Sequence, residues 1–187
     1  MTRIPLKTDP ELDPATRQLF EAMVQRGGKV PDLYRLLANA PELLQAWTDL
    51  AWPLRAVDHA SRALRELLIM RTAQLTGARY EWAHHWPLAM AAGVTEAELH
   101  ALAAWKSSPL FTDEQRAALG LADEMVRDGH PSDAAFAPVR EYFDDKAAIQ
   151  IALTVAFYVC VARFAGAFEL DLELGYEHVP PLPTSPS

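Results

Sequence analysis

The densest run of side chains able to do chemistry is Arg79-Tyr80-Glu81-Trp82-Ala83-His84-His85-Trp86-Pro87. Residues four apart share a helix face, so the spacing predicts that Glu81 meets His85, Tyr80 meets His84 and Trp82 stacks toward Trp86. A carboxylate beside an imidazole favours the imidazolium and fixes the tautomer of the neutral ring, which suits a histidine to acid–base work near neutral pH. Glu81 and His85 are therefore the leading catalytic candidates. Tyr80, Trp82, His84 and Trp86 are the side chains that would meet a substrate in a desolvated pocket beside them. The same spacing also fits a plain surface ion pair worth roughly a few tenths of a kcal/mol. A metal reading of Glu81, His84 and His85 would need His59 or His100 as a further ligand. HExxH is absent, and adjacent histidines point about 100° apart on a helix, so no metal is expected.

Further along the chain, Glu66 lies one turn from Arg62 and borders an apolar face made by Leu64, Leu67 and Met70. If its helix packs as a hairpin against the Tyr80 helix across Gly77, Glu66 reaches the His85 side; otherwise it is a partner for Arg62. Arg163 follows twelve mainly apolar residues and must find a carboxylate or a wet pocket, which makes it a candidate anchor for a substrate carboxylate as well as a structural cation. Cys160, between Val159 and Val161, reads as a small buried hydrophobe. His130 falls in a turn and His178 in the C-terminal tail. GxGxxG, Walker and GxSxG motifs are absent, which argues against nucleotide cofactors and serine hydrolase chemistry.

Helices must position these residues. Asp13-Pro14 starts one that runs from Ala15 to Arg26 and ends at Gly27-Gly28, and Pro31 and Pro41 start the next two, reaching Ala38 and about Leu54. Ser61 caps a helix that Gly77 stops, and Tyr80 to Ala92 forms another in which Pro87 should produce a kink before Gly93. Thr95 and Glu98 make a capping box, Thr112 opens a helix through Arg127, and Ser132 caps one through Tyr142. Lys146 to Leu170 is the most apolar segment. Its Ile151 to Ala162 run is too short to span a bilayer and suits a core or a subunit interface. No useful period-2 pattern appears, so the chain is expected to be all-α, with seven to nine helices in a single domain over residues 1–176 and a Pro/Ser-rich extended or disordered tail over residues 177–187.

Composition narrows the function. The chain has 187 residues, 50% hydrophobic and 22% charged, enough to bury a substantial core. Twenty-five acidic against 17 basic residues give a net charge of −8, which repels phosphate backbones and anionic membranes, so neither nucleic acid nor membrane is expected as a partner. A lone cysteine excludes an internal disulfide, a CxxC pair and a four-thiolate zinc site within one chain. Met1 to Pro10 lacks the apolar stretch of a secretory signal, so a cytoplasmic location is the default expectation.

The stretch Arg65-Glu66-Leu67-Leu68-Ile69-Met70-Arg71, then Tyr80 to His85, Ala89 to Gly93 and the Thr95-to-Glu98 box resembles the carboxymuconolactone decarboxylase family, whose superfamily includes the alkylhydroperoxidase D-like proteins. The resemblance is most specific over Ser61 to Leu102 and continues through the Phe157-to-Phe168 helix. It implies an alkylhydroperoxidase D-like helical bundle and a homo-oligomer, commonly a trimer or hexamer. In the thiol-dependent branch a glutamate, a CxxC pair and a histidine form a proton relay, which would fall here on Glu66, Ala78, Glu81 and His85. Both thiols are missing, so thiol peroxidase activity is not expected. The decarboxylase branch, which needs no redox thiol, metal or cofactor, implies acid–base catalysis on a small organic acid or lactone. His85, oriented by Glu81 or Glu66, would then supply a proton, and Arg163 or Arg79 would hold a carboxylate. The alternative is a non-catalytic or stress-related oligomer that keeps the scaffold after losing the redox pair. A buried pocket on which Glu66, Glu81 and His85 converge would favour the enzyme, and His85 facing solvent would favour the scaffold.

Overall fold

The computed structural model describes residues 2–25 and 28–183, and among these every regular element is helical. In chain order they are α1 (Pro14–Gln25), α2 (Asp32–Leu37), α3 (Pro41–Ala56), α4 (Arg62–Thr76), α5 (Arg79–Ala91), α6 (Glu96–Ala101), α7 (Asp113–Arg127), α8 (Asp133–Tyr142) and α9 (Asp145–Ala167), with 3-10 turns at Asp9–Glu11 and Leu102–Ala104. The expected end of the first helix at Arg26 and Gly27 lies outside the described residues. The expected caps form elsewhere. Ser61 Oγ accepts from Leu64 N, and Thr95 and Thr112 make reciprocal capping boxes with Glu98 and Gln115. α5 stays helical through Pro87, the site of the expected kink, and Pro53 and Pro138 likewise sit inside α3 and α8. Tertiary packing on both sides of α5 holds a turn that has lost one ladder bond.

α4 is the hub, packing against α5, α7 and α9. Its residues are buried from Leu64 to Gln74 on every side, so it has no solvent stripe. One hydrophobic cluster joins Leu67, Leu68 and Met70 to Trp82, Trp86, Leu99, Leu119 and Ile151. A second joins Ile69 to Phe20, Tyr34, Leu44, Phe157 and Tyr158. Each fully buried Leu, Ile or Met contributes about 1.5–3 kcal/mol of transfer free energy, and α4 supplies Leu67, Leu68 and Met70 to the first cluster and Ile69 to the second. Gly77 then reverses the chain at φ 70°, a left-handed position that a side chain would strain, and this places α5 antiparallel beside α4.

α9 is long and apolar enough to cross a membrane by length and composition alone. Its buried face carries Gln150 and Thr154 as well as Ile151, Val155 and Tyr158, and it packs on α4 and α7 as a core helix. Gln150 organises the α3–α4 loop: its Oε1 accepts from His59 N and Ala60 N at 3.0 and 2.8 Å, and its Nε2 donates to Leu54 O at 3.0 Å. That clamp fixes Arg55 and Arg62 at the two ends of the loop. The expectation for Cys160 is corrected. It is exposed, because it falls with Ile149, Leu153 and Ala156 on the face of α9 turned away from the core. In the expected C-terminal tail, residues 177–183 carry no helix and are docked: they turn over 177–179, Val179 is buried and Pro180 O accepts from Trp82 Nε1 at 3.0 Å, while residues 184–187 lie outside the described residues.

Candidate functional site

α5 presents Tyr80, Glu81, His84, His85, Pro87 and Leu88 to a cavity of about 370 Å³. These positions recur every three or four residues and form one stripe of the helix. The rest of the wall is largely aromatic and apolar, with Tyr34, Trp52, Tyr158 and Tyr176 among its residues and Arg55 and Arg62 as cations. The expected Tyr80–His84 contact is present, with ring centroids 4.3 Å apart.

His85 is buried, and its partner differs from the one the spacing predicts. His85 Nδ1 lies 2.8 Å from Glu66 Oε2, across the α4–α5 hairpin, while neither Glu81 oxygen accepts a hydrogen bond. An i,i+4 relation permits contact on the helix surface, but the interhelical carboxylate approaches more directly, and Glu81 is left beside the cavity with no hydrogen-bond partner. Glu66 is fully buried behind His85 rather than on the cavity, and its other oxygen pairs with Arg62. Burial works against ionising Glu66, but His85, then Arg62 and Arg55, overcome that penalty and hold its carboxyl below the ordinary value. His85 is shifted down, because desolvation of the charged ring outweighs the pull of Glu66. The consistent state is a neutral imidazole donating Nδ1–H to an ionised Glu66, which leaves Nε2 as a lone-pair acceptor.

Glu81 behaves in the opposite way. It is 3% exposed with both oxygens lacking a hydrogen bond, and burial, opposed only by its own backbone N–H, pushes its pKa up to about 7. The cavity therefore holds a protonatable base and a carboxylic acid side by side on one helix, kept apart in pKa by different surroundings.

Arg55 Nε donates to Tyr158 Oη at 3.0 Å and Arg55 Nη1 to Tyr34 Oη at 3.1 Å. Desolvation works to discharge the guanidinium, but the two tyrosines reverse that and hold it charged. Burial pushes the Tyr158 phenol up to about 12, so its hydroxyl keeps its proton and can donate it in a hydrogen bond to an oxyanion in the cavity. Sequence reasoning missed Arg55, Tyr34 and Tyr158. They come from three helices, and only an isolated Arg in the Trp52-Pro53-Leu54-Arg55 turn hinted at them.

Three expected substrate contacts are corrected. Trp82 and Trp86 pack on each other at 5.4 Å inside the main core and do not line the cavity, because each sits one residue, or about 100°, round the helix from Glu81 and His85. Arg163 is exposed and lines a separate cleft with Arg79, Gly77 and Gly166, which Glu81 and Tyr80 also border. The metal reading also loses its geometry, since His84 and His85 turn to different carboxylates: His84 Nε2 lies 2.6 Å from Glu173 Oε2.

With this geometry in hand, comparison with known proteins is informative. Residues 41–124, which contain α3 to α6 and most of α7, match the family model of the carboxymuconolactone decarboxylase family. Over those residues, a little under half of its length, the chain is similar to that family. The protein YdfG of Bacillus subtilis, which is uncharacterised, is 27% identical over 97 residues, covering 51% of this chain and 66% of YdfG, just under two thirds of its length. The debrominase Bmp8, solved as a variant with 2,3,4-tribromopyrrole, superposes with a TM-score of 0.83 at 22% identity over 96% of each chain. A peroxidase-related protein with an alkylhydroperoxidase AhpD core, from Ralstonia eutropha JMP134, gives 0.83 at 21% identity over 94% of each chain. These two structures share the alkylhydroperoxidase D-like fold with this chain.

Proposed function

We propose that this protein is a carboxymuconolactone decarboxylase-like, cofactor-independent acid–base enzyme that decarboxylates or isomerises a small unsaturated organic acid or lactone in the Glu81–His85 cavity. The observation that carries the reading is Glu81, a buried carboxyl with no hydrogen bond to either oxygen, beside a neutral His85 held by Glu66. An unpaired buried acid costs stability unless a ligand completes it. A carboxylate or lactone carbonyl docks against Arg55 and the Tyr34 and Tyr158 hydroxyls. Loss of CO₂, or removal of a carbon-bound proton by His85 Nε2, leaves an electron pair delocalised onto that oxygen as a dienolate. The Glu81 carboxyl then protonates carbon. The ligand of one structural neighbour, 2,3,4-tribromopyrrole, is a planar ring, and the aromatic wall here is of a kind to take one. A thiol mechanism finds no thiol in this cavity, since the one cysteine lies on the outer face of α9.

The test is NMR of 5-oxo-2,5-dihydrofuran-2-carboxylate and related lactone acids in D₂O, reading CO₂ loss and deuterium uptake. Wild type should turn over, and His85→Gln should lower turnover by about 10² or more with melting nearly unchanged. Turnover indifferent to His85 removes it from the mechanism, and no turnover of any lactone acid leaves the non-catalytic scaffold as the better account. We further propose that the working form is a homo-oligomer, a trimer or hexamer located in the cytoplasm, with sedimentation of the purified protein as its check.

A further inference from the structure

A second chain of polar groups meets the same cavity from the segment after α9. His84 Nε2 lies 2.6 Å from Glu173 Oε2, and His84 Nδ1 lies 3.0 Å from the Tyr176 hydroxyl. The other oxygen of Glu173 accepts from Asp32 N at 2.7 Å and from the Tyr80 hydroxyl at 2.9 Å. Burial works to neutralise Glu173, but these donors, His84 first, overcome it and bring its pKa down to about 2. An ionised carboxylate only accepts, so His84 Nε2 carries a proton. In the neutral ring Nδ1 is then an acceptor, and Tyr176 must donate to it. The rings of Tyr80 and Tyr176 both pack on the imidazole, with centroids 4.3 and 4.4 Å away, which fixes its plane. Tyr176 and His84 line the cavity with Glu81 and His85. Tyr176, which with His84 and Glu173 also borders a neighbouring cleft, therefore brings to the cavity wall a phenol whose own proton is directed at a base.

We propose that Tyr176, backed by His84 and Glu173, is a second acid–base group of this cavity, and that the bound unsaturated acid or lactone is isomerised by moving a proton between two of its carbons. The inference rests on the proposed function and selects between its two reactions. Decarboxylation needs only a proton donor for the dienolate, which Glu81 supplies, whereas a proton shift between carbons also uses a base, and Tyr176 adds one to His85. Tyr176 oxygen takes a proton from one carbon as its own proton passes to His84 Nδ1. The C–H electron pair moves into the conjugated carbonyl, and the Glu81–His85 side returns a proton to a second carbon. Proton exchange then resets His84 and Glu81. Nothing is oxidised or reduced, and no group leaves. Tyr176 is the catalytic residue of this centre; His84 and Glu173 are positioning residues.

Two measurements test it. Nitrogen-15 NMR of the imidazoles, with His84 assigned through His84→Asn, should show the Nε2–H tautomer and an Nδ1 signal that shifts downfield in Tyr176→Phe as its hydrogen bond is lost. An Nδ1–H tautomer in wild type overturns the inference, since Tyr176 would then be a mere acceptor. With 5-oxo-2,5-dihydrofuran-2-carboxylate in D₂O, deuterium should enter two ring positions, and Tyr176→Phe should slow uptake at one of them at least tenfold. Uptake in Tyr176→Phe equal to wild type at both positions overturns the inference and leaves the proposed function standing. No reaction of wild type with the lactone acid counts against the proposed function instead, and the tautomer still decides whether Tyr176 feeds a proton to His84.

Discussion

Of the three buried charged residues of α4, Arg65, Glu66 and Arg71, the last two lie five positions apart and meet opposite fates. Five residues turn the helix by about 140°, so the two face different neighbours. Arg71 faces α7, where Nε and Nη2 bind the two oxygens of Asp123 at 2.6 and 2.8 Å and Nη1 reaches Gln74 and Leu102 O. Trp105 Nε1 adds a further bond to Asp123 at 3.3 Å. All three guanidinium nitrogens are bonded, and no cavity described above touches the pair. Glu66 faces α5, where it holds His85 against a cavity whose other carboxyl, Glu81, has no bond at all. Polar groups that close on one another lock a core. Polar groups left open beside a cavity store capacity for a ligand.

The largest effect should come from breaking the closed knot. Asp123→Ala leaves Arg71 buried and unpaired, and should lower stability by about 3–5 kcal/mol in urea unfolding. Replacing both partners with apolar residues, Arg71→Met with Asp123→Leu, should recover much of that loss, because the penalty lies in the orphaned charge. A double variant as unstable as Asp123→Ala would mean that the bonds themselves, rather than desolvation, hold α4 to α7.

At the open site the sign is reversed, since removing a charge should help. Glu81 has a folded pKa of about 7 against an ordinary 4.5, so its contribution is fully present below pH 4.5 and is lost as pH rises to about 7. The loss is on the order of 3 kcal/mol. Glu66 and His85, both shifted down, act the other way on the acid side, so the difference between wild type and Glu81→Gln isolates the one group. Stability of Glu81→Gln relative to wild type should rise between pH 5 and 7.5, and parallel curves would show that Glu81 ionises freely.

The comparison also shows what spacing can reveal. Caps, glycine stops and the apolar face of α4 are local signals, and the helices follow them closely at Ser61, Gly77, Thr95 and Thr112. The hairpin that brings Glu66 to His85 was readable too, because one glycine reverses two adjacent helices. Which carboxylate wins His85 was not, since i,i+4 spacing fixes reach along one helix but not the closer approach of another. Arg55, Tyr34 and Tyr158 lie 21 to 124 positions apart in sequence, and Glu173 and Tyr176 sit in an irregular segment with no periodicity. Only packing assembles them. Trp82 and Trp86 were misplaced for a simpler reason: a helix buried on both sides gives no polar face by which to decide which stripe meets the cavity.

The smallest effect sharpens the contrast between two arginines. Arg55 is held by two phenols inside the cavity and makes no direct ion pair with a carboxylate among the described residues, although its charge is felt by Glu66, whereas Arg163 is exposed in the neighbouring cleft. A charge-assisted hydrogen bond contributes about 1.5–3 kcal/mol, so Arg55→Gln should raise KM for a lactone acid about tenfold or more. Arg163→Gln should leave KM and stability within about 0.5 kcal/mol of wild type. Because Glu81 and Tyr80 border both spaces, an increase of KM in Arg163→Gln matching that in Arg55→Gln would place the carboxylate in the outer cleft. The substrate would then reach Glu81 from the α9 side, and the Arg55–Tyr34–Tyr158 set would be a strut of the core rather than the oxyanion site.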